Sequence, residues 1–211
     1  MTAEKLATRG LGFLDAEDIS DHVSKWCSIF FQRSSPQSKS YNNSQSWEIR
    51  KNYDDLSWWI KDQKSFTLFF DGASKGNPGK EGVGGLILNP RGQIINSFSW
   101  GLGSKTNNED EWLALLQGLE MIDAKIITRL IILWNSCQVI LKMKTCYPSG
   151  SIKCRRLHSR ILQLHLPEIT YFYHILRETN AKPDTMANKG ASLSQGSIIL
   201  NGEETSFKHI P

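Results

Sequence analysis

From Phe66 onward the apolar positions fall into short blocks whose spacing predicts their conformation. Phe66-Thr67-Leu68-Phe69-Phe70 is a β-branched and aromatic run that stops at Asp71-Gly72, as a buried strand does. Val83 to Leu88 predicts a second strand, Asn89-Pro90-Arg91-Gly92 a turn, and Gln93 to Trp100 a third strand, so the three form an antiparallel meander. The period then lengthens. Trp112, Leu115, Leu116, Leu119 and Ile122 recur at helical spacing, predicting an amphipathic helix from Asn107 to Ala124 with Asn107 or Asn108 as its N-cap. Arg129 to Trp134 predicts a strand, Ser136 to Cys146 and Arg155 to Leu164 predict helices, Thr170 to Leu176 a last strand, and Pro183 opens a final helix. Strands separated by helices in the second half imply parallel pairing onto the antiparallel first half. The expected fold is α/β: a mixed five-stranded sheet, three strands in a meander and two parallel, flanked by helices.

Upstream the pattern is weaker. Ile19, Val23, Trp26, Cys27 and Phe30 suggest a short helix within residues 16–31, and the Ser-, Gln- and Asn-rich run from Ser34 to Trp47 reads as a linker. The domains are therefore placed at 1–60 for an N-terminal appendage, 61–195 for the folded unit and 196–211 for a C-terminal tail. Tyr53-Asp54-Asp55 imitates the acidic turn of a polymerase palm, but it lacks the variable residue after the aromatic, and some fifty upstream residues are too few for such a domain.

Composition changes the picture in one place. The chain has 211 residues, 39% hydrophobic and 22% charged, with a net charge of +4, which is ordinary for a globular protein. Residues 124–167, however, contain no Asp or Glu, while Lys125, Arg129, Lys142, Lys144, Lys153, Arg155, Arg156 and Arg160 all lie there. A one-signed field of this kind favours a polyanion. Cys27, Cys137, Cys146 and Cys154 have no zinc-knuckle or redox spacing and read as reduced thiols. No run of about twenty apolar residues exists, so no membrane span is expected. The acidic residues among the first twenty-odd positions argue against a secretory leader, so the expected location is intracellular, nuclear or cytoplasmic, with an organelle left open.

The predicted order brings chemistry together. Asp71 ends the first strand, Glu111 lies in the first turns of the first long helix, Asn135 follows the fourth strand, and Asp184 starts the last helix. With the first and fourth strands adjacent, these groups meet at one sheet edge. Converging carboxylates repel unless divalent cations sit between them, and oxygen-only ligands select Mg²⁺ or Mn²⁺. Taken singly, each acid has an ordinary reading as a turn residue or a helix-dipole partner. The ordered set does not.

Asp71-Gly-Ala-Ser-Lys-Gly-Asn-Pro-Gly79, Gly82-Val-Gly-Gly-Leu-Ile-Leu88, Thr106-Asn-Asn-Glu-Asp-Glu111, Ala114-Leu-Leu-Gln-Gly-Leu119 and Arg177-Glu-Thr-Asn180 with Asp184 and Ala187-Asn188 resemble ribonuclease H. The likeness is to its reverse-transcriptase-like branch, abundant in plant genomes and retroelements. That resemblance implies two-metal hydrolysis of the RNA strand of an RNA/DNA hybrid, with Asp71, Glu111 and Asp184 as metal ligands. It also implies that Gly72, Asn77, Thr106, Asn107 and Asn108 lie near the minor groove or backbone, where small amides and backbone N–H groups can read 2′-hydroxyls. Arg155 and Arg156 are expected to contact phosphates.

One position departs. The family's fourth strand ends in Asp, and here the run is Leu133-Trp134-Asn135-Ser136. Asn can offer a carbonyl oxygen but no charge. Hydrolysis is therefore expected to be weak or absent, and neither Glu109, about 200° around the helix from Glu111, nor Asp110, about 100° away, is expected to reach in. The expected partner is an RNA/DNA hybrid or double-stranded RNA. The alternative is a non-catalytic binding or domesticated interaction module with a protein partner at the N-terminal segment.

Overall fold

The computed structural model describes residues 48–76, 79–105, 109–136, 139, 143 and 151–205. A two-residue strand, β1 (Glu48–Ile49), comes first in the chain, but the centre of the molecule is β2 (Phe66–Gly76), buried from Thr67 through Asp71. β2 runs well past the Asp71-Gly72 stop expected from sequence, because antiparallel pairing with β3 (Gly79–Leu88) continues from Thr67↔Leu88 to Gly76↔Gly79. On its other side β2 pairs in parallel with β5 (Arg129–Trp134), but only from Phe66↔Leu130 to Phe69↔Leu133. β4 (Ile94–Lys105) completes the meander, and β6 (Ile169–Ile175) lies parallel to β5. In the β3–β4 turn Asn89 Oδ1 accepts from the backbone N–H groups of Arg91 and Gln93, and Gly92 takes the φ of +77° that a side chain would disfavour.

The five expected strands are thus present, and three short ones extend the sheet. β1 pairs in parallel with β6, and β7 (Ile198–Leu200) and β8 (Glu203–Thr205) extend the β4 edge. The order is β1-β6-β5-β2-β3-β4-β7-β8. Residues assigned from sequence to a tail therefore contribute strands.

Both faces carry helices. α1 (Tyr53–Gln63) spans the point where the appendage was expected to end. Asn52 caps it by accepting from the Asp55 N–H, and Asp54 and Asp55 stand in its first turn, so the polymerase-like triplet is a helix start. Leu56 and Ile60 pack with Phe69, Leu86, Ile131, Leu133 and Ile175, which makes α1 part of this core. α4 (Ala181–Gly190) lies over β2, β3 and β4. It begins two residues before Pro183, after a 3₁₀ turn at Arg177–Asn180. Gly84 permits the close approach, since a Cβ there would sit 2.3 Å from the Ala187 backbone nitrogen.

On the opposite face, α2 (Asp110–Glu120) rests on Leu68 through Gly118. Its N-cap is Glu109 rather than Asn107 or Asn108, and the cap makes no side-chain hydrogen bond; Asp110 instead accepts from the Glu111 N–H through its own carboxylate. α3 (Ile152–Leu162) starts three residues earlier than expected, capped by Ser151, and its His158 ring stands edge-on to Trp112 of α2. Of the helix expected at 136–146, Val139 and Met143 are described, both helical and buried. The helix expected within residues 16–31 and the Ser34–Trp47 linker lie outside the described residues. Cys154 is a buried thiol, and the other three cysteines lie outside the described residues. Among the described residues no helix is long and apolar enough to cross a membrane.

Candidate functional site

Where β2 and β5 cease to pair, at Phe69↔Leu133, a notch opens between them. Asp71 and Asn135 each follow by two residues and so point to the same face as Phe69 and Leu133, the face covered by α4. Asn180, fully buried at the junction of the 3₁₀ turn and α4, fills the notch. Its Nδ2 has the Phe70 carbonyl at 3.1 Å, Asp71 Oδ2 at 3.2 Å and Asn135 Oδ1 at 3.4 Å as acceptors. Two N–H bonds are shared among three oxygens, while Asn180 Oδ1 is buried without a hydrogen-bond partner. The site is rich in acceptors and poor in donors.

Charge adds to that imbalance. Asp71 is 7% exposed. Burial pushes its carboxyl up from 3.8 to about 6; the Gly72 N–H, Asn180 and the positive charge of Arg177 pull it down, and the negative charge of Asp184 pushes it further up. Asp184, one helical turn after Asn180, is half-buried and held by Asn188, whose Nδ2 donates to both its carbonyl and its carboxylate. Asp71 and Asp184 are thus close enough to feel each other, and Asn135 shares a donor with Asp71.

Glu111 is half-buried in the first turn of α2, on the helix that covers the other face. Among the described residues no three His, Cys, Asp or Glu side chains meet as a ready metal-binding group. The oxygen donors around the notch, the Asp71 and Asp184 carboxylates with the Asn135 amide and the Asn180 oxygen, are of the hard kind that suits a divalent cation such as Mg²⁺ or Mn²⁺.

Glu109 turns to Lys153 of α3 at 3.4 Å. Asp110 is buried against Gly72, where a Cβ would lie 2.8 Å from its Cγ, and burial pushes its carboxyl to about 6. The Gly72 N–H is engaged by Asp71 Oδ1. Asn77, Thr106, Asn107 and Asn108 lie outside the described residues. Arg155 and Arg156 are exposed on α3, whereas Arg160 is paired with Glu120 at 2.7 Å.

Sequence reasoning assigned no role to Asn180 or His174. Asn180 stands four residues before Asp184, a spacing that places both on one helix face and could have flagged it. His174, whose Nε2 lies 3.1 Å from the Asn135 carbonyl, owes its place to strand register.

Known proteins resemble this chain. Ribonuclease HI of Halobacterium salinarum is 32% identical over 127 residues, 57% of this chain and 61% of that protein. Two crystal structures superpose on 61% of the chain at 27% identity. One is the ribonuclease H1 of the same archaeon, covered to 98% with a TM-score of 0.54; the other is LC11-RNase H1, isolated from compost by a metagenomic approach and crystallised with an RNA/DNA hybrid, covered to 97% at 0.56. The chain spans less than two thirds of the length of the curated relatives it matches. A model of the reverse transcriptase-like family matches residues 69–190, more than half of the sequence and all of the notch, so the chain belongs to that family and carries a ribonuclease H-like domain.

Proposed function

We propose that this domain grips an RNA/DNA hybrid or double-stranded RNA and hydrolyses the RNA weakly or not at all. The carrying observation is Asn135 in the notch, 3.4 Å from the Asn180 amide that also holds Asp71, so the position beside Asp71 has no negative charge. Asp71, Glu111 and Asp184, with the Asn135 amide oxygen, would hold Mg²⁺ or Mn²⁺. Such an ion, when bound, supplies positive charge beside a phosphate.

The missing charge has a calculable effect. A unit charge at about 4 Å contributes roughly 4 kcal/mol at an effective dielectric near 20, and twice that toward a dication before desolvation offsets part. A net loss of about 3 kcal/mol is roughly two orders of magnitude in occupancy or rate. Binding survives this loss because it draws on other groups. Arg155 and Arg156 are exposed on α3 and lie in the acid-free span, and the relative LC11-RNase H1 has been crystallised with an RNA/DNA hybrid. Gly72, Asn77, Thr106, Asn107 and Asn108 would lie along the groove, on the strength of the motif resemblance.

The test compares cleavage and binding of a labelled hybrid, with Mg²⁺ or Mn²⁺, by the native chain and Asn135→Asp. The native chain is expected to bind with strong salt dependence and to cleave little, and Asn135→Asp to cleave about a hundredfold faster. Equal cleavage by both chains would overturn the impairment, and a native chain that neither binds nor cleaves would overturn the whole reading.

A further inference from the structure

The geometry points to a brace, built by Glu48 and His174, that fixes the backbone of Asn135 and makes the strand ahead of the family match a working part of the site. It rests on Asn135 belonging to the nucleic-acid site proposed above. β1 precedes residues 69–190, the span the family model matches, and pairs with β6 so that Glu48 lies opposite His174. On its other side His174 lies opposite Trp134, the residue before Asn135. The imidazole is 9% exposed. Its Nε2 donates to the Asn135 carbonyl at 3.1 Å, and its Nδ1 lies 3.4 Å from Glu48 Oε1, an ion-pair distance without hydrogen-bond alignment. Arg50 engages the other Glu48 oxygen at 3.3 Å.

This contact matters because of where it falls. β5 has already parted from β2 at Leu133, and Trp134 is the last residue of β5 paired to β6. The Asn135 carbonyl is therefore the first beyond the ladder, in a bend. The side chain of Asn135 is tied to the notch by the 3.4 Å contact with Asn180, longer than an ordinary N–H···O bond. The His174 bond sets where that side chain starts from, and hence how it meets Asn180 and Asp71. His174 is a positioning residue in this arrangement, and Glu48 orients its ring much as outer groups orient the ligands of a metal.

The experiment uses the full chain labelled with ¹³C and ¹⁵N, as native protein, His174→Ala, His174→Gln and Glu48→Gln. The readouts are the Asn135 carbonyl carbon and Ser136 amide resonances, affinity for a labelled RNA/DNA hybrid, and the melting temperature. His174→Ala is expected to move both resonances and weaken binding about tenfold. His174→Gln, which can place an amide N–H near the former Nε2 position, should stay near native, with Glu48→Gln between them. Two outcomes overturn the brace: Asn135 and Ser136 signals unmoved in His174→Ala, or Ala and Gln variants weakened alike. If His174→Ala fails to fold, the same resonances in Glu48→Gln and His174→Gln decide. If the native chain binds no hybrid, the functional reading fails while the resonances still decide the brace.

Discussion

Asp71→Asn is expected to stabilise the protein at neutral pH while removing its most buried site charge. The Asp71 carboxyl is raised from 3.8 to about 6, with burial as the chief cause and the charge of Asp184 adding to it. A group whose folded pKa lies above its unfolded one contributes its full stability below the unfolded value and loses it as pH rises through the folded value. For Asp71 the loss runs from about pH 4 to about pH 6 and is complete at pH 7.5. Two units at 1.36 kcal/mol each put it at about 3 kcal/mol. Asn removes that penalty but has one oxygen where the Gly72 N–H and the Asn180 amide each now find one, so about 1 kcal/mol of hydrogen bonding is forfeited. The net gain is about 1–2 kcal/mol, or roughly 2–8 °C in melting temperature for a chain of this size. Urea unfolding of native and variant chains at pH 7.5 and pH 4 measures it. The gain should be present at pH 7.5 and absent at pH 4. A variant less stable than native at pH 7.5, or a gain of equal size at both pH values, would refute the reasoning.

Three further outcomes follow from other parts of the structure. Gly72→Ala should destabilise by about 1–3 kcal/mol in chemical denaturation, because its Cβ would lie 2.8 Å from Asp110 Cγ, and Asp110→Ala in the same chain should return most of that loss. Burial lowers the pKa of His158, packed edge-on against Trp112, so the unfolded chain takes up this proton first and stability falls as pH drops below about 6.5. His158→Phe should flatten that part of the pH profile in urea titrations, and an unchanged slope would contradict it. Replacing Arg155 and Arg156 by Ala should lower the salt slope of hybrid binding by about one for each phosphate no longer neutralised, measured by fluorescence anisotropy across salt concentrations. An unaltered slope would place the phosphates elsewhere.

Much of the sheet was legible because its strands are long and chemically plain. Phe66–Phe70, Val83–Leu88 and Arg129–Trp134 are runs of β-branched, aromatic and other apolar residues that few other structures accommodate. The additions were not. β1 has two residues and β7 three, too few for a period of two to show, and they exist because β6 and β4 offer unpaired edges. α1 was hidden by its composition, since Tyr53-Asp54-Asp55 and the alternation of Lys and Asp around Trp58 look polar until Leu56 and Ile60 are seen against the sheet. In the site, Asp71, Asn135 and Asp184 follow from chain order alone. Asn180 was visible only as one residue of a motif, because a buried amide declares its role through the acceptors it meets. Glu48 and His174 could not be found from one sequence, since their meeting depends on the register of strands more than a hundred residues apart.

The position of the notch between β2 and β5 has a consequence for how such a domain ages. Its walls are interior strands of an eight-stranded sheet, so the backbone around Phe70 and Asp71 is among the last to open, and its amide exchange should follow global unfolding. A domain that exchanges one carboxylate there for an amide changes the charge of the notch and leaves the strand pairing around it intact.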